Sequence, residues 1–312
     1  MLIRSDVEAA YARIDPYIRT TPTVSTETGS FGSRAQVSLV CEFMQHSGSF
    51  KARGAMNRLL SARETGELGQ TGAIAASGGN AGLGVAYAAG QLGLPATIYL
   101  PETAPLVKVK RLLGLGATVR QVGAEYAEAY DAARLEEERT GAIFVHAYDQ
   151  PEVCAGQGTI GLQLESQLEA VDTVLVSVGG GGLLGGICAA LNSRVAIVGV
   201  EPENIPTWHS ARIAGGPVDV GVSGVAVDSL GARRMGEIGY AAAVDATAAS
   251  VLVSDEAIVE ARQVLWDTYR IVVELGTAAA LAALTSGAYQ PEDGERVAVI
   301  LCGANTITSG LS

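Results

Sequence analysis

The chain has 312 residues, 48% of them hydrophobic and 17% charged, with a formal net charge of −12 at pH 7. This length exceeds one usual compact core, so two lobes are expected, and an acidic balance without a long basic run argues against nucleic acid or an anionic membrane surface as partner. The N-terminal MLIRSDVEAAYARI has no signal-peptide core and no later stretch approaches a membrane span, so the expectation is a cytoplasmic protein that acts on a small soluble molecule.

In chain order, helical period first covers about Ser5–Ile14. Short apolar runs then alternate with longer Ala/Leu-rich stretches: Ala73–Ala76 with Leu83–Leu92, Ala96–Leu100 with Leu106–Leu113, and Thr118–Val122 with Tyr126–Arg139. A second series has a helix over Gly158–Leu168, a strand over Thr173–Val178, a helix over Leu183–Asn192 and a strand over Ala196–Val200, followed by a helix over about Glu256–Tyr269 and a strand over Arg296–Leu301. This alternation predicts an α/β protein built on mostly parallel sheets flanked by helices. No linker separates the two series, so residues 52–146 are expected as a small domain inserted into a larger one made of residues 1–51 and 147–312, with the site between the lobes.

Four cysteines (Cys41, Cys154, Cys188, Cys302) and three histidines (His46, His146, His209) are dispersed, which suggests neither a disulfide framework nor a zinc site. Only three of the 21 basic residues are lysines: Lys51, Lys108 and Lys110. Lys51 lies in Ser47-Gly48-Ser49-Phe50-Lys51-Ala52-Arg53-Gly54-Ala55, beside an aromatic in a turn that leads into a helix. Burial there would lower its pKa and free the nucleophilic amine for an aldehyde cofactor; a solvated lysine at a helix start is the plainer alternative.

Two glycine-rich turns stand at expected strand-to-helix junctions. Ser77-Gly78-Gly79-Asn80-Ala81-Gly82 offers side-chain donors and free N–H groups suited to a carboxylate, or is a simple N-cap. Ser177-Val178-Gly179-Gly180-Gly181-Gly182 directs backbone N–H groups at one oxyanion beside a helix start, or is a flexible turn. Consecutive glycines with no Gly-Lys-Ser/Thr fit a monophosphate better than a dinucleotide. One phosphate site and one carboxylate site in the same chain describe an amino acid worked on by a phosphorylated cofactor.

Gly48–Ala55, Ser77–Gly82, Val178–Leu183 and the terminal Cys302-Gly303-Ala304-Asn305 together resemble the serine/threonine dehydratase family of fold-type II pyridoxal-phosphate enzymes, over about Ser5–Thr308. The resemblance implies pyridoxal 5'-phosphate as cofactor, Lys51 as its Schiff-base lysine and Phe50 packed on its ring. Asn80 would bond the ring hydroxyl. Gly179, Gly180, Gly181, Gly182 and Leu183 would hold the phosphate, Cys302 would meet the pyridine nitrogen, and Ser77, Gly78 and Asn80 would receive the substrate carboxylate. The implied reaction is dehydration and deamination of an L-β-hydroxy amino acid of the threonine or serine type: Lys51 removes the α-proton, water leaves, and the released enamine hydrolyses to a 2-oxo acid and ammonia. A thiol at the pyridine nitrogen would leave that nitrogen largely neutral and favour elimination over transamination.

Several positions depart from the family pattern. Racemases of this kind place a second serine where this chain has Gly78, so an L preference with little racemisation is expected. Members that bind a divalent cation have an acid six residues after a Glu-Pro, whereas Thr207 follows Glu201-Pro202 at that spacing, so no metal is expected. Val222-Ser223-Gly224 and Glu274-Leu275-Gly276 replace Ala-Asp-Gly and a Glu-Pro pair; Glu274 either faces the substrate β-carbon or forms a salt bridge with a neighbour. Only Ser-Gly-Leu-Ser follows Thr308, so no regulatory domain responsive to isoleucine is expected. By family habit a homodimer is expected. β-Replacement of the cysteine-synthase kind, a specialised β-hydroxy substrate and a non-catalytic sensor on the same scaffold remain as alternatives.

Overall fold

The computed structural model describes residues 1–307; Thr308 and the Ser-Gly-Leu-Ser after it lie outside the described residues. Helix α1 (Arg4–Ile14) buries Val7, Ala10 and Ile14, which fall on one face at three- and four-residue spacing. Strands β1 (Thr23–Ser25) and β2 (Gln36–Val40) form an antiparallel pair. From β2 the chain enters α2 (Lys51–Glu64) and then β3 (Ala73–Ala76), α3 (Asn80–Gln91), β4 (Ala96–Leu100), α4 (Leu106–Gly114), β5 (Thr118–Gln121), α5 (Tyr126–Thr140) and β6 (Ile143–Phe144). These four strands pair in the order β5-β4-β3-β6, parallel throughout.

The chain returns through α6 (Pro151–Gln167) to β7 (Thr173–Ser177), α7 (Gly182–Leu191), β8 (Ala196–Pro202), α8 (Thr207–Ala214), α9 (Val227–Leu230), α10 (Glu237–Asp245), β9 (Ala249–Val253), α11 (Asp255–Tyr269), α12 (Leu275–Thr285) and β10 (Arg296–Ile300). The larger sheet runs β1-β2-β10-β7-β8-β9, with every pair after β1–β2 parallel. The result is the α/β architecture that the alternating runs predict.

Strands β3 and β7 are buried along their whole length, which is why they appear as unbroken apolar runs and not as alternation. Helix α6 begins at Pro151, earlier than the expected Gly158, because Val153, Cys154, Ala155 and Gly156 are all buried and leave no polar face to mark its first turns. Helix α12 has no amphipathic signature for the same reason, since Gly276 through Leu284 are buried on every side.

Parallel sheets place ligand sites beyond the carboxyl ends of their strands. Here residues 77–79 follow β3, residues 179–181 follow β7 and Cys302 follows β10. Helix α3 packs closely on the start of α2, because a methyl group at Gly84 would lie only 2.8 Å from the carbonyl carbon of Lys51.

Candidate active site

A cleft of about 660 Å³ is bordered by elements of both sheets, and every site residue expected from the sequence lines it. The lysine segment is clipped to the end of β10: Phe50 N–H donates to the Cys302 carbonyl at 3.0 Å, and Ser49 bridges Gly303. Lys51 opens α2, and its ammonium donates to the Ala147 carbonyl at 2.5 Å and lies 4.8 Å from the centre of the Phe50 ring. Burial lowers its pKa to about 8, against the opposing influence of Cys154, Cys302 and Glu274. Roughly a tenth of such amines are neutral and nucleophilic at pH 7, compared with well under a thousandth for an ordinary lysine.

The turn after β7 admits no side chains. A methyl group at Gly180 would lie 2.3 Å from the Tyr148 ring and one at Gly182 would lie 2.6 Å from the Tyr148 carbonyl, while Gly181 has φ +84° and caps α7. The carbonyls are occupied elsewhere, that of Gly179 by the Thr207 hydroxyl at 2.6 Å and that of Gly180 by Gly236 N–H at 3.0 Å. What the turn offers to the cleft is backbone N–H groups at a helix start, the chemistry of an oxyanion cradle.

Across the cleft, Gly79 and not a side chain caps α3, and Ser77 Oγ accepts from Gly79 N–H at 3.3 Å. The Asn80 amide donates to both Glu274 oxygens, at 3.1 and 2.8 Å, and its carbonyl accepts from Asn305 Nδ2 at 2.6 Å. Of the two expectations for Glu274, a salt bridge with a neighbour is not found among the described residues; the carboxyl meets the Asn80 amide, and burial raises its pKa. Thr277 Oγ1 donates to the Gly303 carbonyl at 2.9 Å and lies 3.2 Å from Cys302 Sγ, so the Cys302 proton is directed at Thr277. Burial pushes the Cys302 thiol up to about 12, which keeps it protonated.

Glu201 lies apart from the cleft lining. It is fully buried and accepts from the N–H groups of Trp208 and His209 at 2.6 and 2.8 Å, and Thr207 Oγ1, whose proton goes to the Gly179 carbonyl, lies 2.9 Å from its Oε1. Burial pushes it up to about 7, while those donors at the start of α8 pull the other way. Thr207, six residues on, is thus in polar contact with it.

Sequence reasoning gave no role to Asn305, Thr277, Tyr148 or the Ala147 carbonyl. Asn305 closes one of the four motifs and was visible as such; Tyr148 and Ala147 carry no local signal, because only the packing of the segment after β6 brings them to Gly180 and Lys51.

Residues 14–303 match the family described as pyridoxal-phosphate dependent enzyme. The chain belongs to that family. Its glycine cradle and its enclosed lysine fit the cofactor: side chains would fill the space beside residues 180–182, and the Lys51 amine is the one group in that lining with a pKa lowered toward nucleophilicity among the described residues. The chain is 34% identical over 308 residues to an L-threonine ammonia-lyase of Thermotoga maritima, covering 98% of this chain and 76% of that one. It is also 34% identical to a phenylserine dehydratase of Ralstonia pickettii, covering 97% and 93%. Among solved structures, a T.th. threonine deaminase superimposes with a TM-score of 0.90 at 33% identity, over 98% of this chain and 99% of that one. Maize serine racemase superimposes with a TM-score of 0.91 at 28% identity, over 98% and 94%. These likenesses establish the two-lobed fold-type II architecture of mostly parallel sheets.

Proposed function

We propose that this protein is a pyridoxal-phosphate dependent ammonia-lyase that dehydrates and deaminates an L-β-hydroxy amino acid of the threonine or serine type. The observation that carries the reading is the placement of the Lys51 amine, lowered to about 8, in one cleft with the cradle at Gly179–Gly182. Bound there, the cofactor would supply an electron sink for charge that develops at the substrate α-carbon.

The chain's own residues do the rest. Lys51 would hold the cofactor by its aldehyde end, and its Nζ would take the substrate α-proton. The N–H groups of Gly179, Gly180, Gly181, Gly182 and Leu183 would hold the phosphate, and Phe50 would pack on the ring. Ser77, Gly78 and Asn80 would receive the substrate carboxylate and Asn80 would also serve the ring hydroxyl, while Glu274 accepts from the Asn80 amide and so fixes it. Cys302, a thiol that burial keeps protonated and whose proton is directed at Thr277 without the cofactor, would meet the pyridine nitrogen as a neutral group and would not enforce its protonation. Loss of the β-hydroxyl as water and hydrolysis then give the 2-oxo acid and ammonia. We assign residues 52–146 to a small domain, residues 1–51 and 147–312 to a large one, and the working form to a cytoplasmic homodimer. No helix among the described residues is long and apolar enough to cross a membrane.

The test is 2-oxo acid release by the cofactor-loaded protein from a panel of L and D β-hydroxy amino acids that includes threonine, serine and phenylserine, with Lys51→Ala as control. Release from L substrates, absent in the control, is expected. Cofactor bound without turnover on any member would overturn the lyase reading, and thiol-dependent consumption of the substrate would move it to β-replacement.

A further inference from the structure

We infer that Asn305 is a positioning residue that sets which end of the Asn80 amide faces the cofactor. An Asn side chain has an acceptor end and a donor end of nearly equal shape, so only its partners decide its orientation. Here the decision begins at the backbone. The Ser47 carbonyl can only accept, and it takes a hydrogen bond from Asn305 Nδ2 at 2.7 Å. The same Nδ2 donates to Asn80 Oδ1 at 2.6 Å. With its carbonyl engaged, Asn80 presents its NH2 group to the cleft, where both Glu274 oxygens accept from it.

Every link has one polarity, because reversing Asn80 would set its carbonyl against the Glu274 carboxyl and its NH2 against that of Asn305. The relay joins three segments: the loop before Lys51, the start of α3 and the segment after β10. The approach is close. A methyl group at Gly48, where φ is +76°, would lie 2.8 Å from Asn305 Oδ1. An NH2 group held toward the cleft donates to a phenolate oxygen, the form in which a pyridoxal ring hydroxyl accepts. This inference rests on the assignment of Asn80 to the ring hydroxyl.

The experiment compares Asn305→Asp, Asn305→Ala and Asn80→Ala as purified proteins, and reads the dissociation constant for added pyridoxal 5'-phosphate, the visible absorption of the holoprotein and the thermal midpoint. Aspartate has the size of asparagine but no NH2, so it preserves packing while it removes both donated bonds. The expected result is that Asn305→Asp weakens cofactor binding roughly tenfold, as loss of an oriented hydrogen bond would, and displaces the absorption band in the same direction as Asn80→Ala. Wild-type affinity and spectrum in either folded Asn305 variant, with Asn80→Ala altered, would overturn the inference; a lowered thermal midpoint alone would do so too, since it marks a purely structural role. An Asn80→Ala protein with wild-type affinity and spectrum would instead overturn the assignment of Asn80.

Discussion

The ammonium of Lys51 donates to the carbonyl of Ala147 at 2.5 Å, and Ala147 lies where the chain passes from β6 toward α6. The lysine is thereby held at the junction between the segments that build the two sheets. A single carbonyl partner does not replace the hydration of an ammonium, so burial dominates and moves the pKa from 10.5 to about 8.

This shift fixes a pH dependence of apoprotein stability. Below pH 8 the folded and unfolded chains both carry the proton, and the full cost of enclosing the charge is present. Between pH 8 and 10.5 the unfolded chain binds a proton that the folded one lacks, so stability rises with pH; above 10.5 the cost has gone. Compared with Lys51→Met, whose packing difference does not titrate, the wild-type apoprotein should show a deficit in its urea midpoint that is largest below pH 8 and shrinks above it. A constant difference across that range would mean that the amine is not desolvated.

The cradle makes a second prediction. Gly180→Ala places a methyl group 2.3 Å from the Tyr148 ring and should weaken binding of pyridoxal 5'-phosphate by about tenfold or more, a loss of at least ~1.4 kcal/mol. Because the obstacle is a side chain, Gly180→Ala with Tyr148→Ala should regain part of the affinity. Absorbance titration decides it, and unaltered affinity in the single variant would remove the turn from the cofactor site.

Much of this site was legible in the sequence, because its chemistry is concentrated in short segments whose residue types have few other uses. Four consecutive glycines after a buried strand and a lysine beside Phe50 are local signals that point to this cleft when taken together, although each alone also reads as a flexible turn or a solvated lysine. Asn305 and Thr277 do not, since their contribution lies in donor and acceptor polarity across segments 225 and 25 residues distant. The fold divides similarly. Runs such as β7 and amphipathic helices such as α1 are local signals, whereas β1, β2 and β9 are short and partly exposed, and α12 is uniformly buried. The position of Glu274 needed the structure as well: facing a β-carbon and pairing with a cation are equally consistent with a glutamate before a helix, and its actual partner comes from α3.

Gly78 bears on stereochemistry. Its missing Cβ faces Leu100 Cδ2 at 3.0 Å, a buried side-chain end that must give by a few tenths of an ångström, and Lys108 Cδ at 3.5 Å, an ordinary contact; no backbone atom stands in the way, so Gly78→Ser should fold. The wild type has no hydroxyl at this position to exchange a proton and should form little D product from an L substrate. The variant should show faster exchange of the substrate α-hydrogen with deuterated solvent and measurable D isomer by NMR and chiral analysis. Appreciable D-serine from the wild-type enzyme would locate the second base elsewhere.

The pair Arg53–Glu42 carries the last prediction. Both side chains are fully buried, with contacts at 2.5 Å from Nε to Oε1 and at 2.9 Å from Nη2 to Oε2. Thr21, Thr159 and Gln163 complete the network at 2.9, 3.1 and 2.6 Å. Arg53 lies one half-turn beyond Lys51 in α2, so this network anchors the first turn of the helix that presents the lysine. Arg53→Met leaves the Glu42 carboxylate enclosed without its cation and should cost ~3–5 kcal/mol in urea unfolding. Replacing both, as Arg53→Met with Glu42→Leu, removes the stranded charge and should recover most of that loss. Should the single variant cost less than about 1 kcal/mol, the pair would be no more than an exposed ion pair in effect, and the anchoring of Lys51 would have to come from the backbone bonds of Ser49 and Phe50 instead.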